Sequence, residues 1–98
     1  MGKESVKATL RAHELELRLS GIVHLHLHGS VLRGEADPLS DGNLAAVFDR
    51  SKIRSPLGEI RLARELSQLL GATVDLANEM TLKEDVRANF EREAELVF

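Results

Sequence analysis

Cysteine is absent from this 98-residue chain, which excludes disulfides, thiolate nucleophiles and cysteine-ligated metals. Tyrosine and tryptophan are absent too, and three phenylalanines make a poor base-stacking surface for single-stranded nucleic acid. There is no excess of positive charge. Sixteen acids against thirteen Lys plus Arg leave a net charge of −3, so nothing favours a general nucleic-acid ligand. No apolar run is long enough to cross a bilayer. The start, Met1-Gly2-Lys3-Glu4-Ser5, lacks a signal-peptide apolar stretch and matches myristoylation poorly. Repeats and low-complexity segments are missing, and only Pro38 and Pro56 punctuate the chain. What remains is 43% hydrophobic and 30% charged, too apolar for disorder. That composition and length predict one soluble, cytoplasmic domain over residues 1–98, with no membrane partner.

The hydrophobic period changes several times. Val6, Leu10, His13 and Leu17 share one helical face, predicting a helix from about Ser5 to Leu19 that Ser20-Gly21 ends. From Ile22 to His28 the period is two, with Val23, Leu25 and Leu27 alternating with His24, His26 and His28, a strand pattern. Leu44 to Phe48 suits a buried strand. A charged loop from Asp49 to Ser55 leads to Ser55-Pro56, a helix start with Ser as N-cap. Leu57, Ile60, Ala63, Leu66 and Leu70 then read as the buried stripe, closed by Gly71. Thr73 to Ala77 predicts a third strand. Thr81-Leu82-Lys83-Glu84 has the form of a capping box, opening a helix that buries Leu82, Val86, Phe90, Ala94 and Val97. The alternation predicts an α/β (α+β) fold with a small, mixed three-stranded sheet.

The chemistry concentrates between the first two strands. Gly29-Ser30 at a strand end lets backbone N–H groups and the Ser30 hydroxyl approach phosphate oxygens, and Arg33 adds a charged donor. Asp41 and position 43, two apart on a strand, lie about 6.6 Å apart on one face, a spacing at which two ligands share a divalent cation. Asp75, between Val74 and Leu76, is expensive in a short apolar strand unless paired, metal-bound or exposed. Taken singly, these residues also fit blander roles. Ser40-Asp41-Gly42-Asn43 is rich in turn formers, and Gly29-Ser30 makes an ordinary strand exit.

In combination, Gly29-Ser30, ten residues containing Arg33-Gly34-Glu35-Ala36, then Ser40-Asp41-Gly42-Asn43-Leu44 resemble the minimal nucleotidyltransferase family, of the DNA polymerase β-like nucleotidyltransferase fold. The resemblance extends over Gly71-Ala72-Thr73-Val74-Asp75-Leu76 and the terminal Arg92 to Phe98. It implies binding of ATP with Mg²⁺ and transfer of a nucleoside monophosphate, in some members onto a tyrosine of a HEPN-domain protein to which the transferase is antitoxin. It further implies nucleotide binding at Gly29, Ser30 and Arg33, metal binding at Asp41, Asn43 and Asp75, and catalysis by Asp41 and Asp75. The family's second aspartate is here Asn43, whose amide oxygen can ligate Mg²⁺ but brings no charge. Loss of one unit charge about 4 Å from a divalent ion forfeits several kcal/mol even at an effective dielectric of roughly 20. Gly42 also loosens the strand meant to hold two ligands. An impaired module that neutralises a HEPN partner by contact is therefore the alternative.

His24, His26 and His28 form a His-x-His-x-His pattern open to two meanings: a polar sheet face, or chelation of one metal ion. The basic set Arg50, Lys52, Arg54, Arg61 and Arg64 fits a phosphate or acidic partner, or a solvated face interrupted by Glu59 and Glu65.

Overall fold

The computed structural model describes residues 2–28 and 42–98, with the side chains of positions 42 and 43 left aside. Helices α1 (Lys3–Ala12) and α2 (Glu14–Ser20) precede strand β1 (Ile22–His28). Strand β2 (Gly42–Phe48), helix α3 (Pro56–Leu70) and strand β3 (Val74–Asn78) follow. A 3-10 turn (Glu79–Thr81), helix α4 (Glu84–Glu93) and strand β4 (Glu95–Leu96) complete the chain. The sheet order is β3-β2-β1-β4, antiparallel at both β1 edges and parallel between β2 and β3. The class is therefore α+β with a mixed sheet, as the alternation predicted.

Among the described residues the sheet has four strands, not three. The terminal segment expected to prolong the last helix to Val97 turns extended after Glu93, because the open edge of β1 takes it. Val97 N–H donates to the Leu25 carbonyl at 2.8 Å and Leu25 N–H to the Phe98 carbonyl at 3.1 Å. Two hydrogen bonds to a ready-made strand outweigh the helical spacing of Ala94 and Val97.

Alternation splits β1 between two layers. Leu25 and Leu27 are fully buried with Val6, Leu10 and Leu17 of α1 and α2 and Leu62, Leu66 and Leu70 of α3. His26 and His28 face the other way, under Phe90 of α4.

The expected single first helix breaks at His13. Its Nδ1 donates to the Thr9 carbonyl at 2.9 Å, and its backbone N–H instead closes on Leu10 at 3.1 Å. Side chain and backbone compete for one acceptor, and the turn tightens. The stripe expected on α3 is also rotated. Leu62, Leu66 and Leu70 take the core, while Leu57 and Ile60 are 70% and 55% exposed. Thr81 caps no α-helix. Its hydroxyl donates to the Asn78 carbonyl at 3.3 Å, and the Asn78 side chain accepts from Met80 N–H at 2.9 Å, fixing the 3-10 turn. Helix α4 consequently starts later, at Glu84 behind Lys83, and buries Phe90 while Val86 stays exposed.

Candidate functional site

Strand register assembles the site. His28 at the end of β1 pairs with Asn43, and Asn43 pairs across the parallel ladder with Asp75. One transverse row thus runs His28, Asn43, Asp75, with neighbouring strands about 4.8 Å apart. Two residues along, the same face carries His26, Ala45 and Ala77. The row between them, Leu27, Leu44 and Leu76, belongs to the core side. Gly29, Ser30, Arg33 and Asp41 lie outside the described residues. For Asn43 only the backbone position is described. The expectation that Asp41 and position 43 share a face therefore lies outside the described residues.

Asp75 is exposed, which relieves the desolvation that an apolar strand would otherwise impose. Beside it, Val74, Asp75 and Leu76 of β3 and Glu59, Ile60 and Ala63 of α3 line a cleft of about 320 Å³. Residue 75 thus borders an accessible depression, while the strand register sets it in the row of the histidine face, and its exposed carboxylate offers oxygen chemistry suited to a hard cation.

The three histidines part company. His24 is exposed. The His26 Nδ1–H donates to Glu79 Oε2 at 2.9 Å, and its ring meets Phe90 edge-on at 5.2 Å between centroids. His28 meets the same Phe90 at 5.6 Å. Its Nε2 is buried with no hydrogen-bond partner among the described residues. Burial pushes the His28 pKa below the ordinary histidine value, more strongly than the Asp75 and Glu79 carboxylates pull it back. Among the described residues no three His, Asp or Glu side chains gather closely enough for a metal. The described donors suit Mg²⁺ rather than a soft ion: Asp75 offers oxygen, whereas the imidazoles of His26 and His28 turn to Glu79 and Phe90.

Two participants escaped the sequence. Glu79 carries no local signal, since its partner His26 lies 53 residues away. Phe90 was legible as a buried residue, but not as the cover of the histidine face. The basic set divides as well. Arg50 reaches Glu59 at 3.5 Å and lies over the Phe48 ring, and Lys52 donates to the Arg18 carbonyl at 3.4 Å. Arg54, Arg61 and Arg64 are exposed. No helix among the described residues is long and apolar enough to cross a membrane.

The nucleotidyltransferase domain family matches residues 10–97. A solved structure described provisionally as a minimal nucleotidyltransferase is 34% identical, with TM-score 0.77, over 97% of this chain and 95% of that one. A tri-AMPylated Shewanella oneidensis HEPN toxin in complex with MNT antitoxin gives TM-score 0.66 at 16% identity, covering 94% of this chain and 71% of that chain. A toxin–antitoxin crystal structure with AMP-PNP gives TM-score 0.70 at 16% identity, covering 90% and 72%. The last two share the fold. No curated protein matches the chain.

Proposed function

This chain belongs to the nucleotidyltransferase domain family, and from that premise we propose that it binds ATP with Mg²⁺ and transfers a nucleoside monophosphate to a hydroxyl of a HEPN-type partner, as the antitoxin of a toxin–antitoxin pair. The row His28, Asn43, Asp75 is the observation that carries this reading. It aligns the strand after which Gly29-Ser30 follows, the strand before which Asp41 stands, and the carboxylate of β3. The tri-AMPylated toxin and the AMP-PNP complex among the structural neighbours support the same chemistry and the same kind of partner. The cytoplasm supplies the ATP.

Gly29 and Ser30 hold phosphate oxygens through backbone N–H groups and the Ser30 hydroxyl, and Arg33 adds a guanidinium. Asp41, Asn43 and Asp75 are the residues that would hold Mg²⁺. When bound, the ion supplies charge neutralisation and polarisation at the α-phosphate. Asp41 and Asp75 fix the geometry for in-line attack: the acceptor oxygen bonds to the α-phosphorus, the bond to the β-phosphate oxygen breaks, and pyrophosphate leaves with the electron pair. The acceptor proton passes to Asp75 or to water.

Asn43 favours a second reading, in which transfer is impaired and the protein neutralises its partner by contact. One experiment separates the two. The protein is incubated with labelled ATP, Mg²⁺ and a HEPN-type protein from the same genome, and label on the partner is counted. Asn43→Asp should raise transfer by at least tenfold, while Asp75→Ala should abolish it with the fold intact. Robust transfer by the wild type that Asn43→Asp leaves unchanged would overturn the ligand assignment. A stable complex without transfer in either form would leave the contact reading standing. Amide shifts at residues 29 to 34 and 41 to 43 on NMR titration with Mg-ATP should mark the nucleotide site, and shifts confined elsewhere would remove it.

A further inference from the structure

Helix α3 presents an outward face that the core does not use. Leu57 and Ile60 are 70% and 55% exposed, and Arg61 and Arg64 are exposed beside them. Positions 57, 60, 61 and 64 follow one helical stripe, opposite the Leu62, Leu66 and Leu70 stripe that anchors the helix. Because the buried side is fully occupied, α3 cannot roll to hide Leu57 and Ile60. We propose that this face is where the helical partner docks, through an acidic helix whose apolar residues cover Leu57 and Ile60. The inference rests on the transferase–partner reading above and adds to it the location and chemistry of the contact.

Charge segregation supplies the chemistry. Residues 49–70 hold five Lys plus Arg against three acids, whereas the rest of the chain holds eight against thirteen. Of those three acids, Glu59 is drawn to Arg50 and Asp49 accepts from Ser51. A cationic, apolar stripe on an otherwise acidic protein is complementary to an acidic surface. A second copy paired through the same face would set Arg61 and Arg64 against arginines, so the complement is a different protein.

Position supplies the link to function. Ile60, Glu59 and Ala63 border the same cleft as Asp75. A helix seated on α3 therefore lies beside the edge strand β3, which carries Asp75. A partner held at that edge can bring its own acceptor to the site, and in-line transfer needs such positioning and exclusion of water.

The test uses the full chain and a HEPN-type protein from the same genome, with affinity measured by calorimetry at low and high salt. The double variant Arg61→Glu/Arg64→Glu should weaken the complex at least tenfold and flatten its salt dependence, and Ile60→Ser should weaken it severalfold. Circular dichroism should show each variant folded, since all three positions are exposed. Label transfer should fall at limiting partner and recover at saturating partner, a KM effect. Lys83→Glu/Arg92→Glu, the same charge change at exposed positions at the two ends of α4, should leave both nearly unchanged. A wild-type complex that these α3 variants leave intact overturns the docking face while the transferase–partner reading stands. Equal weakening by Lys83→Glu/Arg92→Glu also overturns it, because long-range charge alone would then explain the effect. Absence of any wild-type complex overturns the partner reading itself. Tighter binding of an RNA oligonucleotide than of the protein to this face overturns the choice of partner.

Discussion

Gly21 joins α2 to β1 with φ +120°, a conformation that side-chain-bearing residues rarely adopt. A Cβ there would lie 2.5 Å from Ile53 Cγ1, and Ile53 is itself buried under the turn. Strain and overlap act together, so Gly21→Ala should lose roughly 1–3 kcal/mol. Urea unfolding of the variant measures it, and an unchanged midpoint would mean that Ile53 and the turn give way freely. The sequence showed that a glycine closes the helix. It could not show that Ile53, 32 positions later in the numbering, closes over that glycine.

At the scale of an element, α4 is the exposed case. Ten residues make a marginal helix on their own, and only Phe90 among them is buried. Its ring packs edge-on against His26 and His28, so one side chain ties the helix to the sheet. Phe90→Ala should cost about 3 kcal/mol, the low end of the range for deleting a buried aromatic, because the face it covers is partly polar. Hydrogen exchange should find α4 opening first. The same substitution should raise the His28 pKa towards the ordinary histidine value, since burial is what lowers it. A lowered folded-state pKa stabilises the protein above the unfolded value of about 6.5, and that contribution fades as pH falls through the folded value. The acid-side slope of stability should therefore flatten in Phe90→Ala. Histidine NMR titration checks the pKa, and a value unmoved by the substitution would refute burial by Phe90 as the cause.

Across the whole molecule, the two ends of the chain are clamped together. Lys3 and Lys7 of α1 donate to Glu95 of β4 at 2.8 and 3.2 Å, and Arg11 Nε donates to the Val97 carbonyl at 2.8 Å. Hydrogen bonds from Lys3, then Lys7, hold the Glu95 carboxyl below its usual range. A depressed carboxyl pKa stabilises the fold above the unfolded value of about 4.3, and the contribution is lost as pH falls through the folded one. Lys3 is raised mainly by the same bond, so its share persists below about pH 10.4 and vanishes above its folded value. Because the Glu95 side chain is 35% exposed, solvent screening keeps the Glu95 contribution near or below about 1 kcal/mol. Glu95→Gln should therefore melt a few degrees lower at pH 7, roughly 4–8 °C per kcal/mol for a domain of this size. The two curves should converge as pH falls through the folded Glu95 value. A difference that persists there would point to lost packing rather than lost charge.

The sequence by itself determined the succession of the first three strands with the helix between the last two of them, the alternation that sends Leu25 and Leu27 to one side of β1 and the histidines to the other, and the Gly71 helix stop. Through the resemblance they carry together, it also marked Gly29, Ser30, Arg33, Asp41, Asn43 and Asp75 as candidate site residues. These are local signals, written within a few residues of each other or in one motif. What tertiary structure decided lies at longer range. The open edge of β1 recruited residues 95–98 as a fourth strand, against their helical spacing. The rotation of α3 is set by which leucines fit the sheet, and the core took Leu62 and left Leu57 and Ile60 outside. The pairing of Asn43 with both His28 and Asp75 exists only once three strands are in register. Hydrophobic period names candidate faces, but packing against a particular surface chooses among them.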